Sequence, residues 1–267
     1  MRSYFNLKEQ GTTIQKEVIA GISSFLATAY IIVVNPSILS QTGMPFSGVL
    51  TATVLVCFFS SLLMGLYAKN PVIVAPGMGL NAFFTYTAVM GMGVAWQTAL
   101  GAVFWSGIFF LLLSVFNIRT FIVQAIPKTL RYAIAVGIGL FITLIGLKNG
   151  GFIVSNDATL ITHAAINPSR LICVAGLLLT AIMLVRKIKA AILIGIVIIT
   201  VFATGIGRFW NNATPIVSFN GVFAAPDFSL LGQLDLWGSL HLSVLPVIFA
   251  FVFTDLFDSL STLVGLS

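Results

Sequence analysis

Between Glu17 and Lys69 the chain carries no charged residue. A bilayer helix needs roughly 20 apolar residues, so this run is too long for one span. Asn35-Pro36 and the turn-rich Gln41-Thr42-Gly43-Met44-Pro45 divide it, which predicts spans over 17–39 and 47–68. A second uncharged run goes from Asn70 to Ile118, and its later part predicts a plain apolar helix over 96–117. Further spans are predicted at 130–149, 170–185, 188–209 and 243–264. The stretch 210–242 is more polar, and Pro215, Asp227 and Asp235 put it in water or at the interface.

The first half of the second run breaks the pattern. Pro71-Val-Ile-Val-Ala75 is short and β-branched, and it meets Pro76-Gly77-Met78-Gly79 before a helical pattern resumes at Asn81. One reading is a short extended piece, a glycine-rich break and a half-helix. Lipid tolerates such a break only where protein or a polar cavity covers the freed backbone groups. In transporters such interruptions point to the binding site. The other reading is an interfacial loop followed by a short span.

Charge fixes a side for each loop. If the N-terminus is cytoplasmic and every element crosses once, ten of the thirteen Lys and Arg residues fall on the cytoplasmic side. Only Lys148, Arg170 and Arg208 fall outside. That bias is what orientation by positive charge requires. It also supports counting 71–91 as a crossing, since otherwise the Arg186–Lys189 cluster would face outward. The net charge of +6 is thus accounted for by span flanks, with no basic stripe for nucleic acid. Composition agrees: 58% of residues are hydrophobic and 7% charged, where a soluble domain has about 25% charged. Cys57 and Cys173 sit in apolar stretches and read as buried small hydrophobes rather than a disulfide or metal site. No cleavable leader is evident in 1–15. No phosphate loop, zinc spacing or nucleophile elbow is present, so no enzyme or ATP-driven pump is supported.

Seven acidic residues remain to be placed. Glu9 and Glu17 lie in the N-terminal segment, and Asp157, Asp227 and Asp235 in outer loops. Asp255 and Asp258 alone fall inside a span, three residues apart and therefore on one helix face, with Thr262 continuing that face and Thr254 beside it. A charge at mid-membrane costs at least about 2.5–3.5 kcal/mol. Two on one face should meet a polar cavity, pair with partners or hold a proton; the plainer reading is a helix cap near the membrane surface. Asn81 is the second candidate. It is expected to open the half-helix, as an N-cap, as a substrate contact, or as both. Phe83 and Phe84 could stack on a planar ligand. Gly137, Gly139, Gly205 and Gly207 are expected at close helix contacts. His163 and His241 fall in or beside outer loops.

Four motifs carry a resemblance. Ala27-Thr-Ala-Tyr-Ile-Ile-Val-Val-Asn35-Pro36, Ala75-Pro-Gly-Met-Gly-Leu-Asn81-Ala-Phe-Phe, Ile126-Pro-Lys with Arg131 and Gly137-Ile-Gly-Leu-Phe, and Phe253-Thr-Asp255-Leu-Phe-Asp258-Ser-Leu-Ser-Thr resemble spans one, three, five and eight of the AzgA-like purine permeases. These belong to the nucleobase–cation symporters, with the uracil and xanthine permeases. The resemblance implies an all-α polytopic membrane protein, the first half of a 7+7 inverted-repeat transporter, with a short strand plus half-helix in the third element. It implies core-domain spans 1–4 over residues 1–117, gate-domain spans 5–7 over 118–209, an outer connection over 210–242 and span 8 over 243–267. It implies import of adenine, guanine or hypoxanthine with protons across the plasma (inner) membrane, without cofactor or metal, and it leaves a homodimer open.

Carried over by position, Asp255 matches the span-eight acid that hydrogen-bonds the base, and Asp258 the acid one turn later, tied with Asp255 to proton coupling. Asn81, Ala82 and Phe83 match the substrate-facing start of the third half-helix. Against the family pattern the chain stops at Ser267, before the tenth element with its paired strand and second acid. The expectation is a piece of a longer permease. The alternatives are an inactive membrane-embedded fragment, a partner in a split permease, and an anion carrier of the same fold.

Overall fold

The computed structural model describes residues 5, 11–69, 72–116, 127–156, 159–163, 167–188, 190–210 and 225–266. Its helices follow the apolar runs closely. Helix α1 (Ile14–Thr28) opens where the Thr13 side chain accepts from the Lys16 N–H and Glu17 occupies the first turn. Helix α2 (Ile31–Leu39) contains Pro36. Proline lacks an N–H and crowds the carbonyl four residues back. The chain yields upstream of it, at Ala29-Tyr30, where the N–H groups of Ile32 and Val33 reach only three residues back, both at 3.1 Å. Asn35-Pro36 therefore lies inside a helix and does not divide the first run. The division comes at a 3-10 turn, Ser40–Thr42, and at Gly43 with φ +94°, a conformation that favours glycine.

Helix α3 (Phe46–Leu66) follows. The third element is next: residues 72–77 without regular structure, a short helix α4 (Met78–Ala82) and a π-helical segment Phe83–Val89. Then come α5 (Trp96–Val115), α6 (Lys128–Asn149), strands β1 (Ile153–Asn156) and β2 (Leu160–His163), α7 (Pro168–Val185), α8 (Ala191–Trp210) and α9 (Leu245–Leu266). Among the described residues three segments are long and apolar enough to cross a membrane: Ile14–Thr42, Phe46–Leu66 and Trp96–Val115. This is the all-α membrane architecture expected from the sequence.

Residues 72–75 of the expected strand form no ladder among the described residues. A strand requires a ladder. The Val74 N–H instead donates to Ser61 Oγ at 3.0 Å, and the Ser61 hydroxyl lies 3.4 Å from the Val74 carbonyl. The one strand pair among the described residues is the antiparallel β1–β2 hairpin, in which Ile153 pairs with His163 and Asn156 with Leu160. Pro71, Asp157, Lys189 and Pro215 lie outside the described residues, as do the side chains of Gly207 and Thr262.

The chain clusters into two compact units. One comprises residues 1–34, 53–75 and 147–225. Within it α7 and α8 form an antiparallel hairpin whose close approach is made by Gly176 against Ile199 and Gly195 against Thr180. Arg170 Nε donates to the Gly151 carbonyl at 2.7 Å, tying the start of α7 to the β-hairpin's approach. The other unit comprises residues 35–52, 76–146 and 226–267. Here α9 packs along α5, and the core gathers Val49, Phe84, Ala88, Ala99, Ala102 and Phe251. The small residues of α5 let α9 come near, as small residues do in membrane helices.

Of the four glycines expected at close helix contacts, Gly137, Gly139 and Gly205 meet no described neighbour there. Among the described residues nothing stands within 4 Å of a Cβ built on any of the three. Gly176, Gly195 and Gly101 are tight instead, because a helical glycine is packed only when its own face is turned to a neighbour. Both Cys57 and Cys173 are free thiols; Cys57 is half-buried and Cys173 exposed, so the expected burial holds only in part.

Candidate functional site

In the second unit, the end of α2, the third element, α5 and α9 enclose a cavity of about 290 Å³. That is near the lower edge of the roughly 300–1,000 Å³ typical of small-molecule sites. Its polar contributors are Asn81, Ser106 and Asp255; Phe84 and Phe251 supply aromatic walls. A mostly apolar cleft with a few convergent polar groups is the usual form of a ligand site.

Each wall follows from local folding. The third element can turn into the unit because Gly77 stands in an extended conformation (φ −70°, ψ 120°) and opens α4 without a side-chain cap. Asn81 sits one turn further in, with its backbone N–H already bonded to the Gly77 carbonyl at 3.1 Å. It is therefore not the N-cap that the sequence suggested. Its side-chain amide is instead directed sideways, where Nδ2 donates to Asn35 Oδ1. Asn35 is 3% exposed and stands on α2 just before Pro36. The π-helical segment that follows has N–H bonds reaching five residues back, Met90 to Thr85 at 3.0 Å and Met92 to Thr87 at 2.9 Å. Such wide turns recur at functional sites.

The residues singled out from the sequence fall around this cavity in three ways. Asp255 and Asn81 both line it. Asp258, one turn on from Asp255, lies against Gly77, itself a lining residue. The two acids thus share one face, turned towards α4, as their spacing required. Ala82 is 2% exposed and does not line the cavity. Phe83 meets Phe251 edge to face at 5.0 Å and 89°, while Phe84 takes the lining position. The Thr254 hydroxyl is used on its own helix, donating to the Ala250 carbonyl at 2.7 Å. Asn35 and Ser106 are contributors that the sequence reading left unassigned. Both are polar residues inside uncharged apolar runs, and that was the available signal. No group of three or more metal-ligating side chains occurs among the described residues.

The profile of the Permease family matches residues 15–267. The chain belongs to that family. Among its relatives are the adenine permeases AdeP and AdeQ of Escherichia coli (strain K12), 43% and 40% identical. Each match covers 98% of this chain and 58% of the relative. The guanine/hypoxanthine permease PbuO of Bacillus subtilis (strain 168) is 35% identical over 98% of this chain and 61% of its own length. The chain thus spans about three-fifths of the relatives it matches. The family is one of membrane permeases.

Proposed function

We propose that the full-length protein is a secondary transporter that imports purine nucleobases (adenine, guanine or hypoxanthine) together with protons. In this reading Asp255 hydrogen-bonds the base, Asn81 contacts it across the cavity, and Phe84 and Phe251 flank its plane. Ala82 and Phe83 hold the third element in place against the core. Asp258, with Asp255, carries the transported proton. The protein sits in the plasma (inner) membrane with a cytoplasmic N-terminus. Spans 1–4 and 8 form a core domain and spans 5–7 a gate domain, as the first part of a 7+7 inverted repeat.

The observation that carries this reading is the convergence of Asp255 and Asn81 on one aromatic-walled cavity. A carboxylate and an amide offer the donors and acceptors that a purine edge needs, and two phenyl rings suit its apolar faces. The names of the relatives, adenine and guanine/hypoxanthine permeases, point to the same ligand class. An anion carrier of the same fold is disfavoured by Asp255 in the cavity and Asp258 at its edge, which would repel an anion. The test is uptake of labelled adenine and hypoxanthine by cells making the full-length protein. Uptake should stop on adding a protonophore and on Asp255→Ala. Retained uptake in Asp255→Ala would remove that acid from the binding role, and competition by sulfate instead of purines would revive the anion reading.

A further inference from the structure

Among the described residues two glycines line the cavity, Gly77 and Gly107, and they differ in what a side chain would meet. At Gly77 a Cβ would run into the Asp258 carboxylate. At Gly107, its own helix backbone aside, no described atom stands within 4 Å of a Cβ. The direction of that free space follows from helix geometry. Helix α5 contributes Leu100, Val103, Ser106 and Gly107 to the cavity wall. Each residue of a helix is turned by about 100° from the one before, so position 107 falls between positions 100 and 103 on that arc. A side chain at 107 would therefore project between two side chains that already face the cavity. Packing supplies no reason for a glycine there. Glycine inside a helix is less stable than alanine, and Gly101, earlier on α5, is needed because its Cβ would fall on the Asp235 carbonyl. Gly107 meets no such obstacle. What its missing side chain leaves open belongs to a cavity of about 290 Å³, already small for a ligand site.

We propose that Gly107 is a size-determining position on α5: its missing side chain is room that the bound base occupies, and so sets the size of ligand that the cavity admits. This rests on the reading of the cavity as a purine site. The experiment measures KM and Vmax of the full-length protein for labelled adenine and hypoxanthine, with melting temperatures taken in detergent on the same variants. Gly107→Ala should raise both KM values about tenfold, the effect of one carbon in a close-fitting pocket. It should leave the melting temperature at or above that of the unsubstituted protein, because only the ligand loses space. Gly107→Leu should raise both KM values about 100-fold or more, and Gly107→Ala decides the matter if that variant fails to insert. Val103→Ala on the Gly107→Ala background takes two methyl groups from the same arc. It should bring both KM values back to within about threefold of the unsubstituted protein, a rescue that a misfolded helix would not show. A fall in Vmax with KM unchanged would overturn the inference, as would a fall in melting temperature that accounts for the lost uptake, or a double variant weaker than Gly107→Ala. If the unsubstituted protein takes up neither base, the purine reading falls and this inference with it. If it takes up both and the Gly107 variants keep its KM values, only the role of Gly107 falls.

Discussion

The carboxylate of Asp258 lies against Gly77, so near that a Cβ on the glycine would stand 2.6 Å from Oδ2. The glycine is required here by close approach, not by its backbone angles. It opens α4 without a side-chain cap, and an acid beside a helix start is electrostatically favoured. The contact joins the third element to the face of α9 that also carries Asp255.

Gly77→Ala should displace a side chain rather than the backbone, because the atom it meets is the free end of Asp258. Overpacking of this kind costs about 1–3 kcal/mol, and an outward swing of the carboxylate lowers that cost. The protein should therefore remain folded, with a melting temperature within a few degrees of the parent, while purine uptake falls about tenfold or more. Uptake and thermal unfolding in detergent, measured on the same preparation, check this. Undiminished uptake would show that the Asp258 position does not matter to transport.

The two acids should separate in their effects. Asp255 lines the cavity, so Asp255→Asn should raise KM for the base. Asp258 stands at its edge, so Asp258→Asn should leave the KM within about threefold and abolish the stimulation of uptake by an inward proton gradient. Proteoliposomes with an imposed pH step distinguish the two. Equal effects of the two substitutions on KM would mean that the pair acts as one binding unit.

How far the sequence speaks depends on what kind of physics is asked of it. The spans were legible because bilayer helices must be continuous apolar runs, and α3, α5 and α9 begin and end within about two residues of the charge and turn signals. The face shared by Asp255 and Asp258 was legible because three-residue spacing fixes it. The role of Pro36 was not, since a proline can end a helix or strain one, and only the packing around Asn35 decides between them. The partner of Asn81 was equally hidden: it lies 46 residues away, on a helix whose rotation is set by tertiary contact. The glycines failed for the same reason. Gly101 and Gly137 look alike in the sequence, yet one faces the Asp235 backbone and the other meets nothing within 4 Å among the described residues.

Gly101 supplies the third prediction. A Cβ at this position would fall onto the Asp235 carbonyl, and the Ser239 hydroxyl is 2.8 Å away. The backbone there cannot easily retreat. The Asp235 N–H donates to the Gln97 carbonyl at 3.1 Å, Thr98 Oγ1 donates to Asp235 Oδ2 at 3.0 Å, and Trp105 Nε1 donates to the Leu236 carbonyl at 3.1 Å. Gly101→Val should thus destabilise by about 3 kcal/mol or more, the upper range for overpacking. Trp105→Phe, which removes one hydrogen bond and little volume, should cost about 1 kcal/mol. Thermal unfolding of the purified protein ranks the two, and a Gly101→Val protein as stable as Trp105→Phe would mean that the 235–240 turn moves freely on α5.

The last prediction concerns pH. Asp227 is held below the ordinary aspartate range, chiefly because the Ser47 hydroxyl donates to its Oδ2 at 2.5 Å, and also because the Ser229 N–H donates to its Oδ1 at 2.9 Å. Its own N–H donates to Thr51 Oγ1 at 2.9 Å, so the residue clasps the 225–230 stretch onto the first turns of α3. A folded-state pKa below the unfolded value means that the ionised form contributes to the clasp. The contribution is full above the unfolded value of about 3.9 and is lost as pH falls through the lowered folded value. Protection of the Asp227 and Ser229 amides against hydrogen exchange, corrected for intrinsic rates, should therefore hold from neutral pH down to about pH 4 and drop below it. Ser47→Ala should move that drop to higher pH, because it removes the largest cause of the shift. Asp227→Asn should abolish the pH dependence altogether. Protection that stays constant through the acid range in the unsubstituted protein would show that the loop is held by other contacts.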